Sequence, residues 1–218
     1  MKANQIISFS GGKDSTAMTI IEPDKILAWF NTGWSFPEMT EHIDQFDVTE
    51  LHPRHPFDEL VIKYGWPSMR RRWCTREKID ALNKNAKGCI QLIGFSTDEI
   101  HRTKTKAMQK KPPPRFPLIE KGLSKSGVLS LCKEHGYTWG GLYGRIDSRI
   151  SCYCCPLKSS PKVWKRIRKQ YPELWEHMLW LDNKITEAGK NGGFYGYKTV
   201  HDLETRFEYE DRQEVLAL

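Results

Sequence analysis

The chain has 218 residues, a length that fits one domain or one domain with an appendage, and its formal charge is +7. A composition with 39% hydrophobic and 28% charged residues excludes a disordered or fibrous protein. The longest apolar run covers 26–30, far short of the roughly 20 residues of a membrane span, and the first residues lack a secretory signal, so we expect a cytoplasmic protein.

The N-terminal part predicts strands that alternate with helices. Short apolar runs predict strands over 5–9, 25–30 and 89–95, and the mixed segment 47–52 is a further predicted strand. Helical patterns lie between these runs, over 15–21, from residue 37 onward, and over 56–64. Such an alternation predicts an α/β fold with a mostly parallel sheet.

The chain changes character after about residue 105. The proline-rich stretch at 110–115 predicts a stiff basic connection. Helices are predicted beyond it over 124–135, from residue 161 onward, and over 172–188, and we assign Trp164, Trp175 and Trp180 to the core. We therefore expect an α/β core over 1–105. A basic linker, a cysteine cluster and a mostly helical region over 106–218 should pack on it.

The segment Ser10–Ser15, with the sequence Ser-Gly-Gly-Lys-Asp-Ser, joins the first strand to the first helix. Its two glycines allow positive φ and a close approach of the backbone to a ligand. The start of the helix directs unpaired N–H groups to the same place, and Lys13 adds a full positive charge. The segment predicts a phosphate cradle. It is not a Walker A loop, because Ile7 and Asp14 stand where that loop needs glycine and Ser or Thr.

Ser10–Ser15 resembles the pyrophosphate loop of the adenine nucleotide alpha-hydrolase superfamily, also called the PP-loop superfamily. Within it, the chain is similar to the phosphoadenosine phosphosulfate reductase family over roughly residues 5–160. The similarity also rests on Phe30–Glu38, Arg72–Thr75, Gly94–Arg102, Phe116–Ile119 and the cysteines near 152–155. The resemblance implies a parallel sheet flanked by helices. It also implies an enzyme that binds ATP or an adenylyl sulfate with Mg²⁺ and usually acts at the α-phosphate.

The same resemblance implies a nucleotide site. Lys13 is the candidate holder of the departing pyrophosphate, Asp14 either helps to hold Mg²⁺ or caps the helix, and Arg102 is a candidate catalytic clamp. The range Arg70–Arg72 is either a further clamp or a solvated basic face. The candidate nucleotide contacts are Ser8, Phe9, Ser10, Gly11, Gly12, Lys13, Asp14, Ser15, Asn31, Thr32, Gly33 and Gly94.

Cys152, Cys154 and Cys155 form a cluster that includes a Cys-x-x-Cys spacing. Disulfides are not expected in a reducing cytosol, and thiolates are soft metal ligands, so the cluster predicts a metal site. Cys74 is the candidate fourth ligand, and its basic neighbours predict a lowered thiol pKa. Four thiolates suit a [4Fe–4S] cluster or Zn²⁺, and a redox dithiol or a metal-free site is the alternative. The resemblance favours iron–sulfur, although its members usually carry the tandem Cys-Cys upstream.

Reductases that resemble this family attack sulfate sulfur with a cysteine of a C-terminal segment, whereas no cysteine follows Cys155 here. We therefore favour an enzyme that cleaves ATP to AMP and pyrophosphate to activate an acceptor. The positive charge favours a nucleic-acid acceptor, tRNA or DNA. A sulfur-donor protein is a further candidate partner, and the chain can also form an oligomer. The alternatives are a sulfonucleotide reductase or sulfotransferase-like enzyme, and a metal-stabilised nucleic-acid-binding module without catalysis.

Overall fold

The computed structural model describes residues 4–109, 111–146, 149–158, 160–190, 192–196 and 198–216. The strands are β1 Gln5–Phe9, β2 Ile26–Phe30, β3 Val48–Leu51 and β4 Ile90–Leu92. The helices are α1 Lys13–Ile21, α2 Pro37–Ile43, α3 Phe57–Tyr64, α4 Trp73–Asn85, α5 Pro117–Glu120, α6 Lys125–Glu134, α7 Leu142–Arg145, α8 Pro161–Gln170, α9 Pro172–Glu187 and α10 Val200–Leu216. Short 3₁₀ helices cover Thr97–Lys104, Lys106–Met108 and Trp139–Gly141.

The four strands form one parallel sheet in the order β3-β2-β1-β4. In its centre, Ile7 of β1 lies opposite Leu27 of β2 on one side and Leu92 of β4 on the other. Because all strands are parallel, their carboxyl ends meet at one edge of the sheet. The strand order reverses beside β1, which is the point where such sheets bind ligands. The predicted α/β fold with a parallel sheet flanked by helices is confirmed.

Apolar side chains cover the sheet on both faces, as parallel strands require. The stretch Leu27–Phe30 is buried along its whole length, and Ile7 and Phe9 of β1 are inaccessible to solvent. Helix α1 packs against β1, α5 and α6, and its Ala17 and Met18 are fully buried. These contacts fix the start of α1 at the carboxyl end of β1.

Arg115 extends the sheet beyond β4. Its N–H donates to the Gln91 carbonyl at 3.0 Å, and its own carbonyl accepts from the N–H of Ile93 at 3.0 Å. Its guanidinium lies 3.1 Å from Glu22 and 2.5 Å from Glu120. The predicted basic connection therefore ends as a one-residue addition to the sheet edge, while Lys110 lies outside the described residues.

Two long helices, α4 and α10, and the short helices α5 and α7 were not predicted from the sequence. Helix α4 is mostly polar, with Trp73 and Leu82 as its buried apolar residues, so its periodicity is weak. Helix α10 buries Val200, Leu203 and Phe207, which lie at helical spacing. Charged residues between these three positions hid a pattern that the sequence does contain.

The chain divides into two compact units that alternate along the sequence. The first unit contains the sheet and consists of the residues up to Asn31, Ser35–Pro53 and Glu77–Leu142. The second consists of Thr32–Trp34, Arg54–Arg76 and the residues from Tyr143 onward. No helix among the described residues has the length and apolar character needed to cross a bilayer.

The second unit is helical, with α9 packed against α3, α8 and α10. Trp164 and Trp175 lie in its core, as predicted. The same prediction is wrong for Trp180, because 45% of this residue is exposed and its ring stacks on His177 instead.

Candidate functional site

The glycine-rich loop Ser10–Ser15 leaves the carboxyl end of β1. Asn31 follows β2 and Gly94 follows β4, the two strands that flank β1. These three parts of the chain therefore lie at the same edge of the sheet, where the strand order reverses. The structure thus brings together the predicted contacts of the first unit.

Gly11 is held where only glycine fits without strain. Its φ is +71°, in the left-handed region that other residues rarely adopt. A Cβ at this position would lie 2.6 Å from Met39 Sδ and 2.8 Å from Ile43 Cγ1. Both neighbours are buried in α2, so the loop backbone rests directly on that helix.

Ser10 and Ser15 shape the loop from within. The N–H of Ser10 donates to Ser15 Oγ at 3.1 Å, and the Ser15 hydroxyl donates to the Gly12 carbonyl at 3.0 Å. Ser15 is almost completely buried. The hydroxyl of Ser15, one of the candidate nucleotide contacts, holds the loop closed.

The start of α1 presents unpaired backbone donors. Gly12 is the N-cap residue, and no side chain caps the helix there. Among the described residues, the N–H groups of Gly11 and Gly12 have no hydrogen-bond partner. The positive end of the helix dipole adds to these donors, so the loop is built to receive an anion.

Lys13 and Asp14 form an ion pair at the start of α1, with 2.8 Å between Nζ and Oδ1. Their side chains are 18% and 36% exposed, so both groups reach solvent. Gly94 packs closely against this turn, because a Cβ at position 94 would lie 3.2 Å from the Asp14 carbonyl oxygen and Cβ. The absence of a side chain at Gly94 therefore lets β4 end directly beside Asp14.

Three further predicted contacts have other partners. The Phe9 ring is buried against Phe46, with 4.9 Å between the ring centres, so its side chain belongs to the core. Ser8 is half-buried within β1. The Asn31 amide donates to Glu50 Oε1 at 2.6 Å. Asn31 lies just after the carboxyl end of β2, whereas Ser8 and Phe9 lie within β1.

Arg102 lies on the 3₁₀ helix that follows β4. Its guanidinium stacks over the ring of Phe95, the residue after Gly94, at 4.1 Å from the ring centre. One guanidinium nitrogen pairs with Glu99 at 2.6 Å. Because an arginine carries five N–H donors, this pair leaves Arg102 able to bind an oxyanion as well.

Three residues beneath the loop, namely Thr16, His42 and Trp139, were not predicted from the sequence. The Trp139 indole N–H donates to the Gly11 carbonyl at 2.7 Å, and Thr16 Oγ1 lies 2.9 Å from His42 Nε2. The only signal in the sequence was the pair of glycines after Trp139, which indicates an unusual backbone turn.

In the second unit, Thr32–Trp34 is bound to the cysteine segment. Thr32 Oγ1 lies 3.7 Å from Cys152 Sγ, and the Tyr153 N–H donates to the Trp34 carbonyl at 2.9 Å. Gly33, with a φ of +73°, has open space where a side chain would stand. Thr32 and Gly33 are therefore neighbours of the cysteine cluster within this unit.

The four predicted metal ligands influence one another electrostatically. Burial and Cys155 raise the pKa of Cys74, so the prediction that basic neighbours lower it is wrong in this structure. Burial, together with Cys155, raises the pKa of Cys152 to about 11. Burial, with Cys152 and Cys155, raises the pKa of Cys154 well above its usual range. The thiols are near enough that ionisation of one raises the pKa of the others. A metal cation bound between them would have the opposite effect and lower these pKa values.

Lys158 supplies a buried positive charge beside these thiols. It is 2% exposed, and its ammonium group donates to the Arg149 carbonyl. Burial lowers the pKa of Lys158 to about 8, while the cysteines at 152–155 act to raise it. Its Nζ is 5.9 Å from the ring centre of Trp164, whose buried indole N–H has no partner among the described residues.

This donor chemistry fits a metal held by thiolates, because the buried Lys158 would stabilise an anionic centre at the neighbouring cysteines. The positions of the side chains, in contrast to their chemistry, do not form a complete metal site. Among the residues that the structure describes, no group of three or more His, Cys, Asp or Glu side chains is arranged as a metal site.

A ring of hydrogen bonds fixes the cysteine segment to α3 and α9. Tyr153 Oη lies 2.6 Å from His177 Nδ1, and His177 Nε2 lies 3.1 Å from Asp58 Oδ2. Trp34 closes the ring by donating its indole N–H to Asp58 Oδ1 at 2.7 Å. Burial acts to raise the pKa of Asp58, but the hydrogen bonds from His177 and Trp34 outweigh it and lower that pKa.

The arginines at 70–72 lie on an exposed turn before α4. Arg71 donates to the Tyr64 carbonyl at 2.9 Å, and Arg72 lies 3.6 Å from the sulfur of Met69, which is 69% exposed. Within the described part of the chain, no carboxylate pairs with any of the three arginines. The turn therefore carries positive charge that the second unit does not neutralise.

Comparison with known proteins agrees with the geometry of the loop. A sequence model of the phosphoadenosine phosphosulfate reductase domain matches residues 4–158, a range that contains the loop and the cysteine cluster. An uncharacterized protein of Methanocaldococcus jannaschii is 24% identical over 195 residues, which cover 80% of this chain and 46% of that protein. The chain thus spans less than half the length of that relative.

Proposed function

Because the chain belongs to the phosphoadenosine phosphosulfate reductase domain family, we propose that it cleaves ATP to AMP and pyrophosphate to activate an acceptor. The observation that carries the proposal is the anion-receiving loop Ser10–Ser15 at the reversal of the strand order. Its Gly11 and Gly12 N–H groups are unpaired among the described residues. A phosphate tail is the ligand that such donors and the charge of Lys13 favour.

In the proposed reaction, an oxygen of the acceptor attacks the α-phosphorus of ATP. A new phosphorus–oxygen bond forms to the acceptor, and the bond to the bridging oxygen of pyrophosphate breaks, so the electron pair leaves with pyrophosphate. Negative charge grows on that leaving group. The loop N–H groups and Lys13 would neutralise it, and this positioning and neutralisation account for most of the catalysis in phosphoryl transfer.

When ATP binds, the ion pair between Lys13 and Asp14 would break, and the two side chains would bind different groups. The 2.8 Å ion pair between them has access to solvent, so Lys13 can turn to the phosphates while Asp14 helps to hold the Mg²⁺ that accompanies ATP. Arg102, stacked on Phe95, is proposed as a clamp for the phosphate oxygens. Asn31 is proposed to contact the adenosine, with Thr32 and Gly33 next in the chain.

We assign a nucleic acid, tRNA or DNA, as the acceptor. The support is the exposed turn that carries Arg70–Arg72 without carboxylate partners among the described residues. Cationic side chains of this kind bind phosphate backbones and release counterions, so the affinity should fall steeply with salt. A sulfur nucleophile delivered by a donor protein would then displace AMP from the activated atom of the acceptor.

Cys74, Cys152, Cys154 and Cys155 are proposed to hold a [4Fe–4S] cluster, with Zn²⁺ as the second choice. Either metal would join α4 to the segment at 152–155, and an iron–sulfur cluster would also exchange single electrons. Lys158 would balance the negative charge of the thiolates. Anaerobic purification, an absorbance spectrum near 400 nm and elemental analysis distinguish the two metals, because zinc sites are colourless.

The decisive experiment measures AMP and pyrophosphate formed from ATP, with and without tRNA or DNA. Lys13→Ala should weaken ATP binding by about 10- to 150-fold, which corresponds to the 1.5–3 kcal/mol of a hydrogen bond to a charged group. Lys25→Ala is the matched control, because Lys25 pairs with Glu22 before β2. Unchanged ATP affinity of Lys13→Ala in calorimetry would contradict the role of the loop.

The family also supports a second candidate, reduction of an adenylyl sulfate. The proposed nucleophile of this reaction is a thiol of the cluster at 152–155 or the thiol of a partner. Consumption of adenylyl sulfate with thioredoxin, without pyrophosphate release from ATP, would favour this candidate. Filter binding of nucleic acid without any turnover would favour a binding module instead.

A further inference from the structure

The carbonyl of Gly11 is fixed from beneath the loop by two donors. The Trp139 indole N–H lies 2.7 Å from it, and the Thr16 hydroxyl lies 3.3 Å from it. A carbonyl oxygen has two lone pairs, so these donors use its full capacity. The oxygen of Gly11 is therefore directed into the protein, away from any ligand of the loop.

The orientation of this carbonyl determines where the next N–H points. In a planar trans peptide the C=O and the following N–H point in opposite directions. With the Gly11 oxygen held inward, the N–H of Gly12 must point outward from the loop. This N–H is one of the two that lack a partner among the described residues.

Trp139 reaches Gly11 through an unusual backbone. Its φ is +50°, and Gly140 and Gly141 follow with φ values of +55° and +79°. A bulky residue rarely adopts this region, and such outliers persist only where the surrounding structure fixes them. Trp139 is 3% exposed, and its ring centre lies 4.9 Å from that of His42. Helix α2 packs against the 3₁₀ turn that contains Trp139.

His42 completes the network from the other side. It is 2% exposed, and its Nε2 lies 2.9 Å from Thr16 Oγ1. Burial lowers the pKa of His42 to about 4, so the ring is neutral at pH 7. With its one N–H at Nε2, His42 donates to Thr16, and the Thr16 hydroxyl is then directed to Gly11. Thr16 has one hydroxyl proton, and in this arrangement both of its hydrogen bonds, to Gly11 and to His42, can form.

We propose that Trp139, together with Thr16 and His42, positions the glycine loop so that the Gly12 N–H points at the phosphate tail of the nucleotide. This inference rests on the proposed function, because it concerns the same loop. It assigns Trp139 no contact with the nucleotide itself. Trp139 is thus a positioning residue that acts through the Gly11–Gly12 peptide.

The test compares binding of ATP, pyrophosphate and adenosine by calorimetry in Trp139→Phe, Thr16→Val and Thr16→Ser. Trp139→Phe and Thr16→Val each remove a donor to Gly11, and each should weaken ATP and pyrophosphate binding by about 10-fold. Adenosine affinity should stay unchanged, because adenosine lacks phosphate. Thr16→Ser keeps the hydroxyl and should retain the affinity for ATP.

A matched control separates positioning from general damage to the fold. Trp66→Phe removes another buried indole, one that donates to Asp182 in the second unit. It should lower the urea midpoint without changing the affinity for pyrophosphate. In the wild-type protein, the ¹⁵N–¹H signal of Gly12 should shift on addition of pyrophosphate, and the shift should shrink in Trp139→Phe.

The outcomes distinguish this inference from the proposed function. If Trp139→Phe binds ATP and pyrophosphate as tightly as the wild type does, the inference is wrong and the proposed function stands. If the wild type binds ATP and the variants lose affinity, but no acceptor releases pyrophosphate, the positioning role stands and the reaction is wrong. If the wild type binds neither ATP nor pyrophosphate, both are wrong.

Discussion

Replacement of Gly11 by alanine should cost more stability than the backbone strain alone. At a φ of +71°, a residue with a Cβ pays about 1–2 kcal/mol. The added Cβ would also stand 2.6 Å from Met39 Sδ and 2.8 Å from Ile43 Cγ1, in a region without free space. Overpacking of this kind costs about 1–3 kcal/mol. The total, about 2–5 kcal/mol, is a large part of the 5–15 kcal/mol that stabilises a typical domain.

The assay is urea unfolding of Gly11→Ala, followed by tryptophan fluorescence and circular dichroism. Gly122→Ala is the control, because Gly122 has a φ of +68° and no atom within 4 Å of a Cβ at that position. The control should lose only the strain, about 1–2 kcal/mol. Equal losses in the two variants would refute the argument, since they would show that α2 makes room for the new methyl group.

Further predictions concern pH, metal and a buried carboxylate. The stability that neutral His42 provides is complete above pH 6.5. It is lost as the pH falls toward 4, because the unfolded state takes up the proton first. The free energy of unfolding should fall by about 3 kcal/mol over this range. In His42→Gln, which lacks the titrating ring, urea unfolding should not show this loss. Cys152→Ser and Cys155→Ser should each lose bound metal in elemental analysis, whereas Cys89→Ser should keep it. Asp182→Ala should lose about 2–5 kcal/mol in urea unfolding, because Trp66 and the Val200 N–H lose their acceptor. Full metal occupancy in Cys152→Ser or Cys155→Ser would contradict their role as metal ligands. An unchanged urea midpoint of Asp182→Ala would contradict its role as a buried acceptor.

The sheet and the glycine loop could be predicted because their signals are local. Three strands coincide with short apolar runs, β3 coincides with the mixed segment 47–52, and the loop is one continuous segment, Ser10–Ser15. The carboxyl-edge positions of Asn31 and Gly94 then follow from parallel strands. Only the bounds changed: α1 begins at Lys13 instead of residue 15, and β4 is limited to Ile90–Leu92.

Contacts between distant parts of the chain could not be predicted in this way. Trp139 and Gly11 are 128 positions apart, and no periodicity connects them. The pKa of Cys74 was misjudged because the sequence shows the charge of the neighbouring arginines but not their exposure. The arginines at 70–72 reach solvent while the thiol is partly buried, and burial together with Cys155 raises its pKa.

The alternation of the two units along the chain limits how the protein can be dissected. A gene fragment ending at Leu142 would encode every segment of the first unit. It would also carry Asp58 and Trp66 without His177 and Asp182, their hydrogen-bonding partners. During synthesis, Trp66 must likewise wait until position 182 has left the ribosome before its indole finds an acceptor. Neither unit can therefore be cloned as one uninterrupted stretch of coding sequence without segments of the other unit.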